Sequence, residues 1–331
     1  MTHAAEVVWL NGPRDLELRT ETLADPQPGQ LLCETIVTAI SPGTELAAFT
    51  GQPPLRPGSP YPRLQGYCSV GRVMESAAPD FAPGERVLSF TSHRSHFLID
   101  AEDVLVKLPA DVDAGLSACA YLYHLGYNAV LRSDVRPGSR VLVIGLGALG
   151  LTSVAMAQIA GASVYALSDQ PAPSAIAQSL GARVFPRDRE DSLAAAMGEG
   201  ADIVIHTVNG WNDWQAALRL AGQNGTIACL GFPGRGEPAP QANPLDSRYF
   251  YLKQLRLEAV GMSPPAKDST GFLRFNERDN LAWIVGLIAE GRIDPSPIVS
   301  GRYRGADIGL AYEDLLARRN DSITYLLDWN R

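Results

Sequence analysis

The chain has 331 residues, long enough for two domains with well-buried cores, and 46% apolar against 19% charged residues is an ordinary globular balance. A net charge of −8, with no Lys/Arg cluster set against it, argues against a nucleic-acid partner. Cys33, Cys68, Cys119 and Cys229 are scattered without a CxxC pair, so neither a disulfide framework nor a zinc knuckle is expected, and a reducing cytoplasm fits best.

The first stretch, MTHAAEVVWLNGPRDLEL, has no basic region ahead of an apolar core and does not read as a signal peptide. Up to about residue 124 the pattern is β. VVWL, LLCETIVTAI, SVGRVMES, ERVLSF and SHFLID alternate or run apolar, and PQPGQ, SPGTE and QPPLRPGSPYP break them with Pro and Gly. This predicts a β-rich domain, a partly open barrel. From residue 125 the period changes. A helix is expected over LGYNAVLRS, then strands at VLVIG, VYALS, ARVFP, ADIVIHTV and GTIACLGF, with helices such as APSAIAQSLGA and WNDWQAALRLAG between them. That alternation predicts a doubly wound parallel sheet, an α/β fold, with LRLEAVGM as its sixth strand. DNLAWIVGLIAEG reads as a helix ending at Gly291, and the last stretch is expected to return to the first domain. The expected division is 1–124 with 267–331, and 125–266 inserted between them, leaving a cleft at the interface.

The segment Val141–Gly150, VLVIGLGALG, carries the chemistry. A buried strand runs into Gly145, Gly147 and Gly150, and an apolar helix follows. In a dinucleotide-binding turn the first glycine permits the tight bend and the second lets a pyrophosphate approach bare backbone. The third lets helix and strand pack closely, while the helix N-terminus offers N–H groups to the phosphates. Val141 to Ala162 is uncharged and long enough to span a membrane, but the glycine turn and Gln158 favour a βαβ core, and no membrane partner is expected. At the end of the second strand stand Ser168 and Asp169, near the distance at which an acid binds the ribose. No Lys or Arg lies between Asp169 and Arg183 to neutralise a 2′-phosphate, so NAD(H) is favoured over NADP(H).

The order of these pieces resembles the medium-chain dehydrogenase/reductase superfamily, the zinc-type alcohol dehydrogenase-like proteins, over nearly the whole chain. The shared features are the β-rich start, PGSRVLVIGLGALG, LGA near 180, LGF before the sixth strand and the helix–strand return. The resemblance implies a GroES-like catalytic domain around a Rossmann domain. It also implies cofactor contacts from Gly145, Gly147, Ala148, Leu149, Gly150, Ser168, Asp169, Val208, Leu230, Gly231 and Phe232, and a homodimer. Many members bind a catalytic zinc; here Pro42 falls where the cysteine ligand would be, Tyr67-Cys68 replaces His-Glu, and Tyr121 is nearest the third ligand. No other cluster with ligand spacing takes their place, so no metal is expected.

Without zinc, the substrate oxygen needs another hydrogen-bond or proton donor. Thr44 matches the family position whose hydroxyl touches that oxygen. Tyr67 sits where the metal-bound histidine would point, and His93 is a third candidate, since His93 and His96 should lie on opposite faces of one strand. Glu45 is expected to pair with an arginine. Tyr121, Tyr123 and His124 crowd the domain junction, and His206 ends a sheet strand with a structural or cofactor-lining role. The expected function is zinc-independent hydride transfer between NAD(P) and a small organic alcohol or ketone. Alternatives are reduction of an activated C=C bond or a quinone, and a non-catalytic dinucleotide-binding protein. The segment Ser41-Pro42-Gly43-Thr44-Glu45 also resembles a branch that oxidises the hydroxyethyl group of bacteriochlorophyll precursors.

Overall fold

Turn chemistry cuts the start of the chain into short strands, and the computed structural model, which describes residues 3–53, 55, 58, 60–265, 269–271, 273–318 and 322–330, places them in the first of two units. This unit comprises Met1–Tyr121 and Pro264–Arg331. Strands β1 (His3–Gly12) and β2 (Asp15–Leu23) form a hairpin, and β3 (Gln30–Ala39) follows with a nearly continuous buried run. The SPGTE segment, expected as a break, starts helix α1 (Pro42–Thr50). Pro42 is the first helical residue, where its fixed φ is already helical and its missing N–H is not needed. Gly51, at φ +74°, closes the helix. Next come β4 (Arg63–Leu64), β5 (Ser69–Ser76), β6 (Arg86–Ser89), β7 (His96–Asp100), β8 (Val106–Lys107) and α2 (Ala114–Ala118).

Helix α3 (Ala120–Arg132) carries the chain into the second unit, Leu122–Ser263, so the units change over a few residues before the expected 124/125 and 266/267. Here β9 (Arg140–Ile144), α4 (Ala148–Ile159), β10 (Ser163–Leu167), α5 (Pro171–Ser179), β11 (Arg183–Phe185), α6 (Glu190–Met197), β12 (Ala201–His206), α7 (Trp211–Leu220), β13 (Ala221–Cys229) and β14 (Arg256–Ala259) alternate as predicted. Their sheet runs β11-β10-β9-β12-β13-β14 with every pair parallel. Strand order reverses between β9 and β12, and in such sheets the ligand crevice lies beyond the carboxyl ends of those strands. Leu142, Ile144, Leu167, Val204 and Ile227 fill the core, with Trp214 against them.

The chain then returns through α8 (Glu277–Ala289), β15 (Val299–Arg304), α9 (Ile308–Leu316) and β16 (Thr324–Asp328). In the first unit β16 lies between β15 and β3, in a sheet ordered β15-β16-β3-β5-β6-β8, with β7 also paired to β3. A three-stranded sheet, β2-β1-β4, accompanies it. Val8, Leu10, Ile40, Phe49, Tyr312 and Leu327 form a core that joins α1 and α9 to these strands. No helix among the described residues is long and apolar enough to cross a membrane.

Candidate functional site

In the second unit the glycine turn has the geometry its residues demand. Gly145 has φ +89°, and a Cβ there would lie 2.3 Å from Val208 Cγ1. A Cβ on Gly150 would lie 1.9 Å from the Gly145 carbonyl oxygen, so only glycine lets α4 pack onto the turn. Gly147 differs. It is the N-cap of α4, its backbone is extended, and no atom lies within 4 Å of where its Cβ would be. No side chain caps α4, so its first N–H groups, those of Ala148 and half-buried Leu149 among them, face an open cradle suited to an anion. The residues present therefore fit the pyrophosphate of a dinucleotide.

Beside this turn, Thr207 donates its hydroxyl to the carbonyls of Ile144 (2.9 Å) and Gly145 (3.1 Å), a brace that sequence reasoning missed. Val208, Leu230, Gly231 and Phe232 gather at the carboxyl ends of β12 and β13. The N–H groups of Leu230 and Gly231 both donate to the His206 carbonyl at 2.9 Å, and a Cβ on Gly231 would strike the Val208 oxygen at 2.4 Å. Phe232 is half exposed, with the Arg235 guanidinium 3.8 Å from its ring centre. His206 is fully buried and edge-on to Trp214 at 5.6 Å, and its ring nitrogens have no hydrogen-bond partner among the described residues. Burial pushes the pKa of His206 down to about 4, and that of His124 likewise.

The end of β10 departs from expectation. Ser168 is buried, and its hydroxyl accepts the Gln170 N–H. Asp169 is not alone: its Oδ1 accepts the Arg187 N–H at 2.8 Å, and its Oδ2 lies 3.4 Å from Arg187 Nη1. The same guanidinium bonds Asp213 at 2.9 Å. A search for a cation close in sequence to Asp169 misses Arg187, because parallel pairing of β10 with β11 brings it back beside the acid.

In the first unit, a cluster of hydroxyls forms around the start of α1. The Tyr67 hydroxyl donates to Ser41 Oγ at 2.5 Å and is also hydrogen-bonded to the Thr44 side chain. Burial pushes the Tyr67 phenol well above its ordinary pKa, with Cys68 adding to the shift and the Ser41 and Thr44 hydrogen bonds opposing it. Tyr121 meets the Tyr67 ring edge-on at 5.5 Å, and Phe90 meets Tyr121 at 4.9 Å. Pro42 at the head of α1 offers no donor atom, and a phenol held protonated is a poor zinc ligand. Among the described residues no group of three or more His, Cys, Asp and Glu side chains is placed to hold a metal ion. The residues present do not fit a catalytic zinc.

Glu45 and His93 are corrected by the geometry. The partner of Glu45 is not an arginine. Its Oε1 accepts the Ser41 backbone N–H at 2.7 Å, and its Oε2 accepts the Tyr312 hydroxyl at 2.6 Å and faces His93 Nε2 at 2.9 Å. His93 Nδ1 lies 2.7 Å from Thr38 Oγ1, which also accepts the Trp329 indole N–H at 3.2 Å. His93 is fully buried with both ring nitrogens engaged, so neither is left to serve a substrate oxygen. The bare Cα of Gly66, at φ +85°, makes room for it: a Cβ there would lie 2.5 Å from the imidazole. His96 opens β7 half-buried, its Nδ1 beside Ser95 Oγ.

Residues 4–107 match the family model described as the N-terminal domain of oxidoreductase, and residues 148–275 match that of zinc-binding dehydrogenase. The chain is 50% identical over 82 residues to 2-desacetyl-2-hydroxyethyl bacteriochlorophyllide A dehydrogenase of Cereibacter sphaeroides, which covers 24% of this chain and 26% of that protein. It is 28% identical over 217 residues to 2-dehydro-3-deoxy-L-galactonate 5-dehydrogenase of Pseudoalteromonas atlantica, covering 64% of this chain and 58% of that one. The matches thus span about a quarter of the first relative's length and somewhat over half of the second's. The fold resembles the crystal structure of 2R,3R-butanediol dehydrogenase from Bacillus subtilis, with a TM-score of 0.82 over 98% of this chain and 99% of that one at 17% identity.

Proposed function

Since the chain belongs to the medium-chain dehydrogenase/reductase superfamily, we propose that it is a zinc-independent NAD(P)-dependent oxidoreductase acting on a secondary alcohol or its ketone. The observation that carries this reading is the Ser41–Thr44–Tyr67 hydroxyl cluster, in which Tyr67 stands at the sequence position of a zinc-binding histidine in family members. Bound at the Gly145–Gly150 cradle, a nicotinamide dinucleotide supplies or accepts the hydride.

The chain's own residues handle binding and the proton. The α4 N-terminus holds the pyrophosphate, and Val208, Leu230, Gly231 and Phe232 line the nicotinamide end. Ser168 and Asp169 meet the adenosine ribose. Thr44 or Tyr67 donates a hydrogen bond to the substrate oxygen, where negative charge builds as the carbonyl is reduced. Burial keeps Tyr67 protonated, and its hydroxyl, which donates to Ser41 Oγ here, must turn from Ser41 to donate to the substrate oxygen. NAD(H) remains favoured over NADP(H), with the preference reduced by the charge of Arg187 beside Asp169. A homodimer is supported by β14, which pairs on one side only, with exposed Leu252, Leu257 and Met262 around it. The four free cysteines suit a reducing cytoplasm.

A second reading concerns the substrate. The 82-residue match to a dehydrogenase named for a hydroxyethyl bacteriochlorophyllide, together with the Phe90–Tyr121–Tyr67 aromatic wall, supports an alcohol carried on an aromatic ring over a small aliphatic one. Turnover of 2-butanol, 2,3-butanediol and 1-phenylethanol with NAD⁺, and of the matching ketones and an enone with NADH, alongside elemental analysis, tests both readings. We expect no stoichiometric zinc, activity resistant to chelators and a preference for 1-phenylethanol. One tightly held metal per chain with activity lost to chelation overturns the zinc-free reading. Turnover of enones alone points to C=C reduction. Cofactor binding without turnover on any alcohol, ketone or enone makes the protein a non-catalytic binder.

A further inference from the structure

Ser41 stands at the N-cap of α1, where a serine hydroxyl ordinarily accepts a backbone N–H from the first turn. Here it does not: α1 has no side-chain cap bond, and Ser41 Oγ instead accepts the Tyr67 hydroxyl. The helix start is fastened from the other side. Glu45, at the fourth helical position, reaches back to the Ser41 N–H, one residue later than the acidic member of a capping box. We propose that Glu45 is a positioning residue: by holding the Ser41 backbone it fixes the place of the Ser41 hydroxyl and, through it, of the Tyr67 phenol. The inference rests on the reading that Tyr67 serves the reaction.

The rest of the network explains why a carboxylate can do this while 1% exposed. A buried carboxylate is tolerated only when donors surround it. Glu45 receives the Ser41 N–H, the Tyr312 hydroxyl and His93 Nε2. With the imidazole proton on Nε2, the chain runs one way throughout: Trp329 donates to Thr38, Thr38 to His93, and His93 to Glu45. Each group has one role, and both carboxylate oxygens of Glu45 are held by donors. That rigidity passes through a single N–H to Ser41 and from its Oγ to Tyr67.

The test is a double-mutant cycle in the full-length protein, reading kcat with NAD⁺ and the best alcohol of the panel above, and NADH Kd by nicotinamide fluorescence. Glu45→Leu removes the acceptor, whereas Glu45→Gln keeps an oxygen for the Ser41 N–H. We expect Glu45→Leu to lower kcat about tenfold or more, up to the roughly 10²–10⁴-fold of a general acid's whole contribution. NADH Kd should stay at the wild-type value, and Glu45→Gln should recover most of the loss. In a Tyr67→Phe background Glu45→Leu should cause no further loss, because residues acting as one unit are not additive. If Glu45→Leu does not fold, Ser41→Ala replaces it in the cycle, with the same expected coupling to Tyr67→Phe. An equal loss in both backgrounds, or an effect on NADH Kd in place of kcat, overturns the proposal. The Tyr67 ¹³Cζ resonance gives a readout apart from activity and should move in the Leu variant and return in the Gln variant. If Tyr67→Phe alone turns over like wild type, the functional reading of Tyr67 fails. An unmoved Tyr67 resonance in a folded Glu45→Leu protein then separately refutes the positioning role.

Discussion

Gly147→Val separates the cofactor site from the fold. The backbone at Gly147 is extended, a conformation open to any residue, and nothing lies within 4 Å of the added Cβ. The cost to folding is that of exchanging a glycine N-cap for a valine, about 1 kcal/mol. The new methyls project instead into the space before the α4 N–H groups. Pushing a phosphate away from even one of those donors forfeits a charge-assisted hydrogen bond, about 1.5–3 kcal/mol, or roughly 10- to 150-fold in Kd. Gly150→Ala is the contrast. Its Cβ would stand 1.9 Å from a backbone oxygen, so the turn itself must open, with an overpacking cost of about 1–3 kcal/mol and a lower Tm. NADH titration by fluorescence and thermal melts by circular dichroism, run on both variants, decide the matter. A folded Gly147→Val protein with wild-type NADH affinity would place the dinucleotide elsewhere and refute the reasoning.

Arg187→Ala should weaken NADPH binding more than NADH binding, and Asp169→Ala should do the opposite; both effects should shrink with added salt, since these side chains are partly exposed. Equal responses to the two cofactors would show that the pair does not meet the ribose. Thr44→Val and Tyr67→Phe should lower kcat, at least one of them by about 10²–10⁴-fold, with NADH Kd unchanged; wild-type kcat in both and in the double variant would remove the hydroxyls from the chemistry. His206, with a folded pKa of about 4 against an ordinary 6.5, binds its proton more readily when unfolded. Its contribution is therefore present above pH 6.5 and is lost as pH falls from there toward 4, at a cost of about 3 kcal/mol over the full window. His206→Leu should flatten the acid limb of the Tm-against-pH curve, and an unchanged limb would contradict this.

What could be read in the sequence was local. The Rossmann half declared itself because strand, glycine turn and helix are contiguous from Val141 onward, and Gly150 answers to the Gly145 carbonyl five residues before it. Two readings failed where the decisive partner was distant or arrived by sheet pairing. Tyr312 binds Glu45 from 267 residues away, and Arg187 returns to Asp169 only because β10 and β11 are parallel neighbours. The SPGTE misreading has another cause. Serine followed by proline and glycine suits a turn, but Ser-Pro is equally an N-cap and first helical residue, and only the burial of Glu45, Ala47, Ala48 and Phe49 chooses the helix. The candidate donors are side chains meeting across a tertiary interior, for which a linear pattern holds no period.

The place of β16 between β15 and β3 has a consequence for biosynthesis. The backbone that satisfies Ile40 through Tyr325 and pairs Leu326 with Ala39 is made only after the whole intervening Leu122–Ser263 unit. At about 5–20 residues per second the nascent chain spends on the order of 10–60 s with that edge uncovered. In the meantime the intervening Leu122–Ser263 unit, whose parallel sheet draws on no residue outside itself, is free to fold. Ribosomes that stall or terminate before Thr324 would release a chain with the Val37–Ala39 edge of β3 open to other chains, a route to aggregation. Final-strand truncations should therefore accumulate in inclusion bodies or on chaperones, not as a soluble half-molecule.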